Sequence, residues 1–421
     1  MKYLPAILIG RLARFAIRLV RKGGGSALPG LILSKIAPGL LAGTLSKFPD
    51  GLIVVTGSAG KSTTTKMLVA IARAHGKTVF TNPSTANILQ GFFSAIVEQS
   101  NLFGNISGDV AILEMDEGHA ELLTRRIKPR IVTVLNVMED QLDRFVDPAF
   151  VRATLGKVAS RAREAVVLNA DDQNMLLLHR DNPQLHGVSW FGVTDPVLSA
   201  QRDGLGTAPT FVPNLPRPSV KSEVVSMVGN RVVIRSNGSR EIYIPARGLH
   251  FAVDAIAAFE TASRYLQSFD GDLAAKTISE LPPVFARGQV ASVNGEDVEF
   301  ILVQNPGSMQ LNLDNLTTNP EQIMFAIGRD VHDPSWMWTV DYSGLSHADV
   351  VAGFNAAEAA LVLAYNEVPI GKVIYDLDEA IEAFFAMPKP NVGVKTVVFS
   401  ADAMRRMRRS LGFWSPEEDG A

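Results

Sequence analysis

The residues best placed to do chemistry are Thr56-Gly-Ser-Ala-Gly-Lys-Ser-Thr63. Gly57 and Gly60 would let backbone N–H groups approach a polyphosphate closely, with Ser58 and Ala59 between them. Lys61 would reach the terminal phosphates, Ser62 would hold Mg²⁺, and Thr63 continues into a helix. The spacing departs from the general phosphate-loop pattern, because Val55 stands where that pattern has its first glycine.

A loop of this kind needs a strand before it and a helix after it. Gly51-Leu-Ile-Val-Val55 is an apolar, partly β-branched run that reads as a buried parallel strand. Ser62 to Ala74 has helical composition, with Met67, Leu68, Ile71 and Ala72 at helical spacing. The context predicts a nucleotide site.

From 51 to 192, strands predicted at 51–56, 78–82, 109–115, 130–136, 165–169 and 187–191 alternate with helical stretches. Such alternation implies a parallel sheet with helices on both faces, and ligands bind at its carboxyl edge. The early strands end in Asn82-Pro-Ser-Thr-Ala-Asn87, Glu114-Met-Asp-Glu117, Asn136 followed by Asp140-Gln-Leu-Asp143, and Asn169-Ala-Asp-Asp172. Glu114 is the best second ligand for Mg²⁺, since it closes an apolar strand where a hard oxygen would face the phosphates. Asn136 is a candidate for the base, and Asp171 or Asp172 for the ribose. Either aspartate could equally be a helix N-cap.

Residues 193–247 break the alternation, with five prolines between 196 and 218 and then short strands at 223–228, 231–236 and 241–244. A helix is predicted near 250–267. A second α/β unit follows Pro282-Pro283, with strands at 298–304, 321–327, 349–353 and 395–399. Its Arg405–Arg409 cluster reads as a solvated helix face.

At 421 residues the chain is too long for one compact core. A net charge of −3 argues against a broad nucleic-acid surface. Zero cysteines exclude disulfides, a thiol nucleophile and Cys-ligated zinc. No apolar run reaches the roughly 18 residues of a membrane span, and no cleavable leader is apparent, so the expected address is the cytoplasm. Residues 1–49 hold eight Lys or Arg and no acid. Arg11, Arg14, Arg18 and Arg21 fall on one helical face, which is either turned to water or laid on an anionic membrane surface.

Together these motifs resemble the Mur ligase superfamily and, within it, the MurT family of amidating synthetase subunits. Gly25–Gly30, Pro38–Leu41, the phosphate loop, Glu114–Glu117, Asp140–Arg144, Asn169–Asp172, Phe285–Gly288, Asn305-Pro306 and Asp333-Pro-Ser-Trp-Met-Trp338 carry the likeness. The shorter form Gly57-x-x-Gly60-Lys61-Ser62 is the one that superfamily uses.

The resemblance implies an α/β fold: a parallel-sheet ATPase domain with a small β insertion, plus a second C-terminal α/β domain. The expected division is a basic amphipathic segment over 1–50 packed on an ATPase domain over 51–284, and a C-terminal domain over 285–421. Residues 193–247 would stand in place of a zinc ribbon.

It further implies an ATP-dependent carbon–nitrogen ligase. A lipid II stem-peptide carboxylate would be phosphorylated and then attacked by ammonia from a glutaminase subunit resembling GatD. Gly57 to Thr63, Asn136, Asn169, Asp171 and Arg287 would serve ATP, and Ser62 and Glu114 the Mg²⁺, with no zinc expected. Arg287 would lie at the hinge. Asp333, or Asp330 beside it, would orient the glutaminase histidine, while Trp336 and Trp338 pack. A stand-alone amino-acid ligase and a non-catalytic nucleotide-binding scaffold are the alternatives.

The chain departs from the family pattern in several places. Ser58-Ala59 replaces Thr-Asn, Thr85 replaces Gly, Gln304 replaces Lys, and Thr339 replaces Asp. Asp254 stands where the helix motif beginning at His250 usually has Asn, and the ribbon cysteines are missing. These mark a divergent member.

Overall fold

The computed structural model describes residues 3–20, 27–82, 89–138, 147–201, 204–246, 248–282, 287–314, 316 and 320–412. Of 16–20, 27–28 and 287–289 it describes the backbone alone. The Asp140–Arg144 motif, Thr85, and the Arg18 and Arg287 side chains therefore lie outside the described residues.

Three helices, α1 (Leu4–Val20), α2 (Ala27–Ile36) and α3 (Leu40–Leu45), precede the first strand. Then come β1 (Leu52–Thr56), α4 (Lys61–Ala74), β2 (Val79–Phe80), α5 (Leu89–Gln99), β3 (Val110–Glu114), α6 (Glu117–Thr124) and β4 (Ile131–Val134). The alternation continues through α7 (Pro148–Ala159), β5 (Ala165–Asn169), α8 (Gln173–Asp181), β6 (Val188–Val193) and the short α9 (Asp195–Leu198). A meander of β7 (Ser222–Val228), β8 (Arg231–Arg235) and β9 (Ser239–Tyr243) leads into α10 (Leu249–Tyr265) and α11 (Gly271–Ser279).

These nine strands form one sheet in the order β2-β3-β1-β4-β5-β6-β7-β8-β9. The β6–β7 pair is parallel, and β7–β8 and β8–β9 are antiparallel. The expected small β insertion thus extends the main sheet. Along β1 every residue is buried because both faces are covered. Ile53 and Val55 join the apolar layer under α4, α10 and α11, while Leu52 and Val54 join the layer that includes Ile7, Leu33, Leu40 and Phe92.

Glu260 of α10 fastens the insertion. Its carboxylate, 1% exposed, accepts from Ser189 Oγ of β6 at 2.5 Å, Ser222 Oγ of β7 at 2.6 Å and Arg264 Nε at 2.9 Å. One buried charge, paired and hydrogen-bonded, therefore spans two strands.

The second sheet is built from β10 (Arg287–Val293), β11 (Glu296–Leu302), α12 (Pro306–Asp314), β12 (Ile323–Ala326), a 3₁₀ turn over Pro334–Thr339, β13 (Ala348–Ala352), α13 (Ala356–Tyr365), β14 (Ile370–Ile374), α14 (Leu377–Phe385), β15 (Lys395–Phe399) and α15 (Ala401–Ser410). Its order is β10-β11-β15-β12-β13-β14, parallel except for the β10–β11 hairpin. Sequence reading missed β10, β14 and α11.

The basic face of α1 is turned differently from the water-facing expectation. Arg11 Nη2 donates to Ser100 O at 2.5 Å and Arg14 pairs with Glu98 at 2.5 Å, so both arginines face the end of α5.

Candidate functional site

The phosphate loop forms where β1 leaves the sheet. Gly57 has φ +127° and Gly60 φ +83°, conformations that cost an L side chain about 1–2 kcal/mol. A Cβ at Gly57 would lie 3.0 Å from the Asn136 backbone, and one at Gly60 would lie 2.1 Å from Asp254 Oδ1. Backbone and α10 therefore approach the loop as closely as glycine permits.

The loop is braced from the next strand. The Ser58 N–H donates to Asn136 O at 3.1 Å, and the Ala59 N–H to Asn136 Oδ1 at 2.9 Å. Asn136 Nδ2 returns a bond to Ala59 O at 3.2 Å, and the Met138 N–H donates to Ser58 Oγ at 3.1 Å. Both polar groups of the Asn136 amide are thus used on the backbone of one loop residue, Ala59. That differs from the base contact expected of it.

Gly60 caps α4 in the left-handed conformation and has no side chain to satisfy the helix's first N–H groups. The start of a helix of this length favours an anion. Lys61 folds back over the loop, with Nζ donating to Gly57 O at 2.5 Å and Ser58 O at 2.8 Å.

Glu114 ends β3, paired in register with Val55 of β1. It is 2% exposed, and its backbone is held by Asn82, whose Oδ1 accepts from Glu114 N at 3.1 Å and whose Nδ2 donates to Glu114 O at 3.3 Å. Asp116 is the N-cap of α6, accepting from the Gly118 N–H at 3.1 Å. Among the described residues no three or more His, Cys, Asp or Glu gather into a metal cage. One carboxylate on the strand beside the phosphate loop, with Ser62 at the start of α4, suits Mg²⁺, which completes its shell with phosphate oxygens and water.

On the nucleoside side the structure differs from expectation. The Asp171 side chain is buried, pairs with Arg217 Nε at 2.5 Å and accepts from the Val193 N–H at 2.6 Å. It fastens the connector after β6 and does not stand open to a ribose. Asp172 is the N-cap of α8, accepting from Asn174 N and Val137 N, each at 2.8 Å. Burial pushes its carboxyl up to about 6, against the hydrogen bonds from Val137 and Asn174. Because Val137 follows Asn136, this buried cap also steadies the brace. Asn169, buried at the end of β5, accepts from the Asp171 N–H at 3.0 Å.

Asp254 is the residue that sequence reading left out of the site. It was visible there only as an aspartate at an asparagine position, and α10 brings its carboxylate against Gly60.

In the second sheet the two aspartates separate. Both Asp330 oxygens are occupied, by Ser400 Oγ at 2.6 Å and the Ala401 N–H at 2.9 Å, at the start of α15. Asp333 is partly exposed and opens the 3₁₀ turn, accepting from the Ser335 N–H at 3.0 Å. Hydrogen bonding from Ser335 holds its carboxyl below the usual range. Trp338 lies half exposed, edge-on to Tyr365 with ring centroids 5.3 Å apart.

A cleft of about 250 Å³ lined by Asp50, His75, Lys77, Arg130 and Tyr265 opens at the amino ends of β1 and β4. That is the edge opposite the loop, and its charges satisfy one another. Burial raises the Asp50 carboxyl, but the hydrogen bonds from Lys77 and Tyr265 outweigh it and hold the group low.

Residues 55–261 match the Mur ligase middle domain. The chain is 24% identical over 403 residues to subunit MurT of the glutamine-hydrolyzing lipid II isoglutaminyl synthase of Streptococcus pneumoniae, covering 87% of this chain and 88% of the relative. It is 30% identical over 172 residues to the Staphylococcus aureus subunit of the same name, covering 41% of this chain and 38% of the relative. The fold matches the MurF ligase of Thermotoga maritima in complex with ADP at a TM-score of 0.65 and 17% identity, over 93% of this chain and 84% of that one.

Proposed function

This chain is a MurT-like, ATP-dependent ligase with a Mur ligase fold, and from that premise we propose that it amidates the D-glutamate α-carboxylate of the lipid II stem peptide. The observation that carries the reading is the placement of Glu114, in register with Val55, one strand from a braced phosphate loop. The near end-to-end likeness to the pneumococcal subunit supports it.

In this reading Lys61 leaves the Gly57 and Ser58 carbonyls and moves its ammonium onto the terminal phosphates of ATP. Ser62 and Glu114 hold Mg²⁺, which when bound neutralises phosphate charge. The N–H groups at the start of α4 receive the anion. The bond from the γ-phosphorus to the ADP oxygen breaks as one to the substrate carboxylate forms. Ammonia attacks the acyl carbon, inorganic phosphate leaves, and a proton is lost to give the amide. Catalysis is positioning and charge neutralisation.

The ammonia is supplied by a glutaminase subunit of the GatD type. Asp333 is the acid that reaches it, since the Asp330 oxygens are engaged at α15. The working place is the cytoplasmic side of the membrane.

The test is glutamine-dependent ADP release by the co-purified pair in the presence of lipid II, with the mass of the stem peptide followed. Lys61→Ala is expected to abolish amidation while the complex still assembles. Asp333→Asn is expected to suppress glutamine hydrolysis far more than synthesis driven by free ammonia. Full amidation by Lys61→Ala would refute the reading, and equal loss of both activities in Asp333→Asn would remove the role of that residue. Activity with an amino acid but not with ammonia would point instead to a stand-alone ligase.

A further inference from the structure

The first helix carries its polarity in reverse of what a helix packed on its own domain requires. Its inner side holds Ile7, fully buried, and Gly10, where a Cβ would lie 2.5 Å from Leu33 Cδ1. On that inner side Arg11 reaches the carbonyls of Val97 at 3.4 Å and Ser100 at 2.5 Å, at the carboxyl end of α5, where a cation is favoured. Arg14 beside it pairs with Glu98. The outer side holds Leu8, Ile9, Leu12 and Phe15, exposed by 44%, 46%, 67% and 63%. Positions 8, 12 and 15 make one continuous stripe down the helix. A helix facing water puts polar residues there.

We propose that α1 is a peripheral docking helix for an anionic lipid bilayer. Leu8, Ile9, Leu12 and Phe15 enter the boundary between headgroups and acyl chains. Charge complementarity decides for a bilayer over a protein. Residues 1–49 carry eight Lys or Arg and no acid in a chain whose net charge is −3; Arg11 and Arg14 are turned to α5, and the other six leave a basic excess at the apolar stripe's end of the chain. Lys35 and Ile36 of the adjoining α2 are exposed as well. An apolar stripe in a basic, acid-free segment is the composition of a helix that lies in the interface. Among the described residues no helix is long and apolar enough to cross a membrane. The inference does not depend on the identity of the ligase substrate.

The test uses the full chain and vesicles without lipid II, so that its failure is separate from failure of the proposed reaction. Wild-type protein is floated with vesicles of phosphatidylcholine alone or mixed with phosphatidylglycerol. Binding is expected with the anionic vesicles and is expected to weaken with added salt. Leu12→Gln/Phe15→Gln is expected to lower partitioning by roughly tenfold per side chain, with an unchanged melting temperature. No binding by the wild type, or equal binding by the double variant, would overturn the proposal. So would a concentration-dependent dimer that the double variant dissolves in the absence of vesicle binding, which would assign the stripe to a second copy of the chain.

Discussion

The contact between Gly60 and Asp254 allows the rigidity of the phosphate loop to be measured. Gly60→Ala introduces two separable costs. The first is conformational: φ is +83°, and an L residue held there costs about 1–2 kcal/mol. The second is steric: the new methyl would stand 2.1 Å from Asp254 Oδ1, 3.0 Å from Cγ and 3.2 Å from Oδ2. The whole carboxylate faces it, and Asp254 is buried on a helix that is buried along most of its length. Forcing an atom into such a space costs about 1–3 kcal/mol. A loop that relaxes when empty must be returned to this conformation by its ligand, so the total of about 2–5 kcal/mol is expected to appear in nucleotide affinity, at least roughly thirtyfold. The change lies in the loop that receives the ligand, so the cycle is read in ATP affinity by calorimetry. In an Asp254→Ala background only the conformational part remains, and Gly60→Ala is expected to cost about 1–2 kcal/mol. Equal costs in the two backgrounds, within about 0.5 kcal/mol, would refute the contact.

Asp172 makes a pH-dependent contribution whose sign follows from burial. Its folded value of about 6 lies above the ordinary 3.8, so its favourable contribution is complete below 3.8 and is lost as pH rises through about 6. The loss is on the order of 3 kcal/mol. Relative to wild type, the melting temperature of Asp172→Asn is expected to gain between pH 4 and 7 and hold level above; a gap independent of pH would refute this. Asn136→Ala removes both bonds to the Ala59 backbone, and ATP affinity is expected to fall by about 1–2 kcal/mol, roughly five- to thirtyfold. Unchanged affinity by calorimetry would show that the brace does not hold the loop for its ligand.

What could be read from the sequence was local. Gly57, Gly60 and Lys61 announce their conformation and chemistry by spacing alone, and the buried parallel strands announce themselves as apolar runs. The polar ends of those strands located the carboxyl edge. The sequence did not say which of their side chains face a ligand. Asp171 is claimed by Arg217 and Val193, 46 and 22 residues along the chain, and such distant pairings leave no local signal. Asp172 instead turns back to cap the helix that begins one residue later. The missed strands have a common cause. β14 lies at a sheet edge with Gly371, Lys372 and Val373 exposed, and β10 lies at the other edge with Arg287, Gln289 and Ser292 interrupting it, so neither shows an apolar run. In α1 the periodicity separated two faces without saying which turns inward. Arg11 and Arg14 answer that by finding acceptors at the end of α5.

The continuity of the first sheet bears on how this chain could be shortened. Residues 222–243 look like a detachable ornament in a linear map of the sequence. In the ladder they are its last three strands, joined to β6 through Phe191 and Ser222. Excising them would leave β6 as a raw parallel edge, open to pairing with another chain. It would also take from Glu260 its Ser222 partner and uncover the apolar side of α10, the helix whose Asp254 touches the phosphate loop. The meander is therefore a fixed part of the sheet, and a minimal version of the enzyme has to keep it.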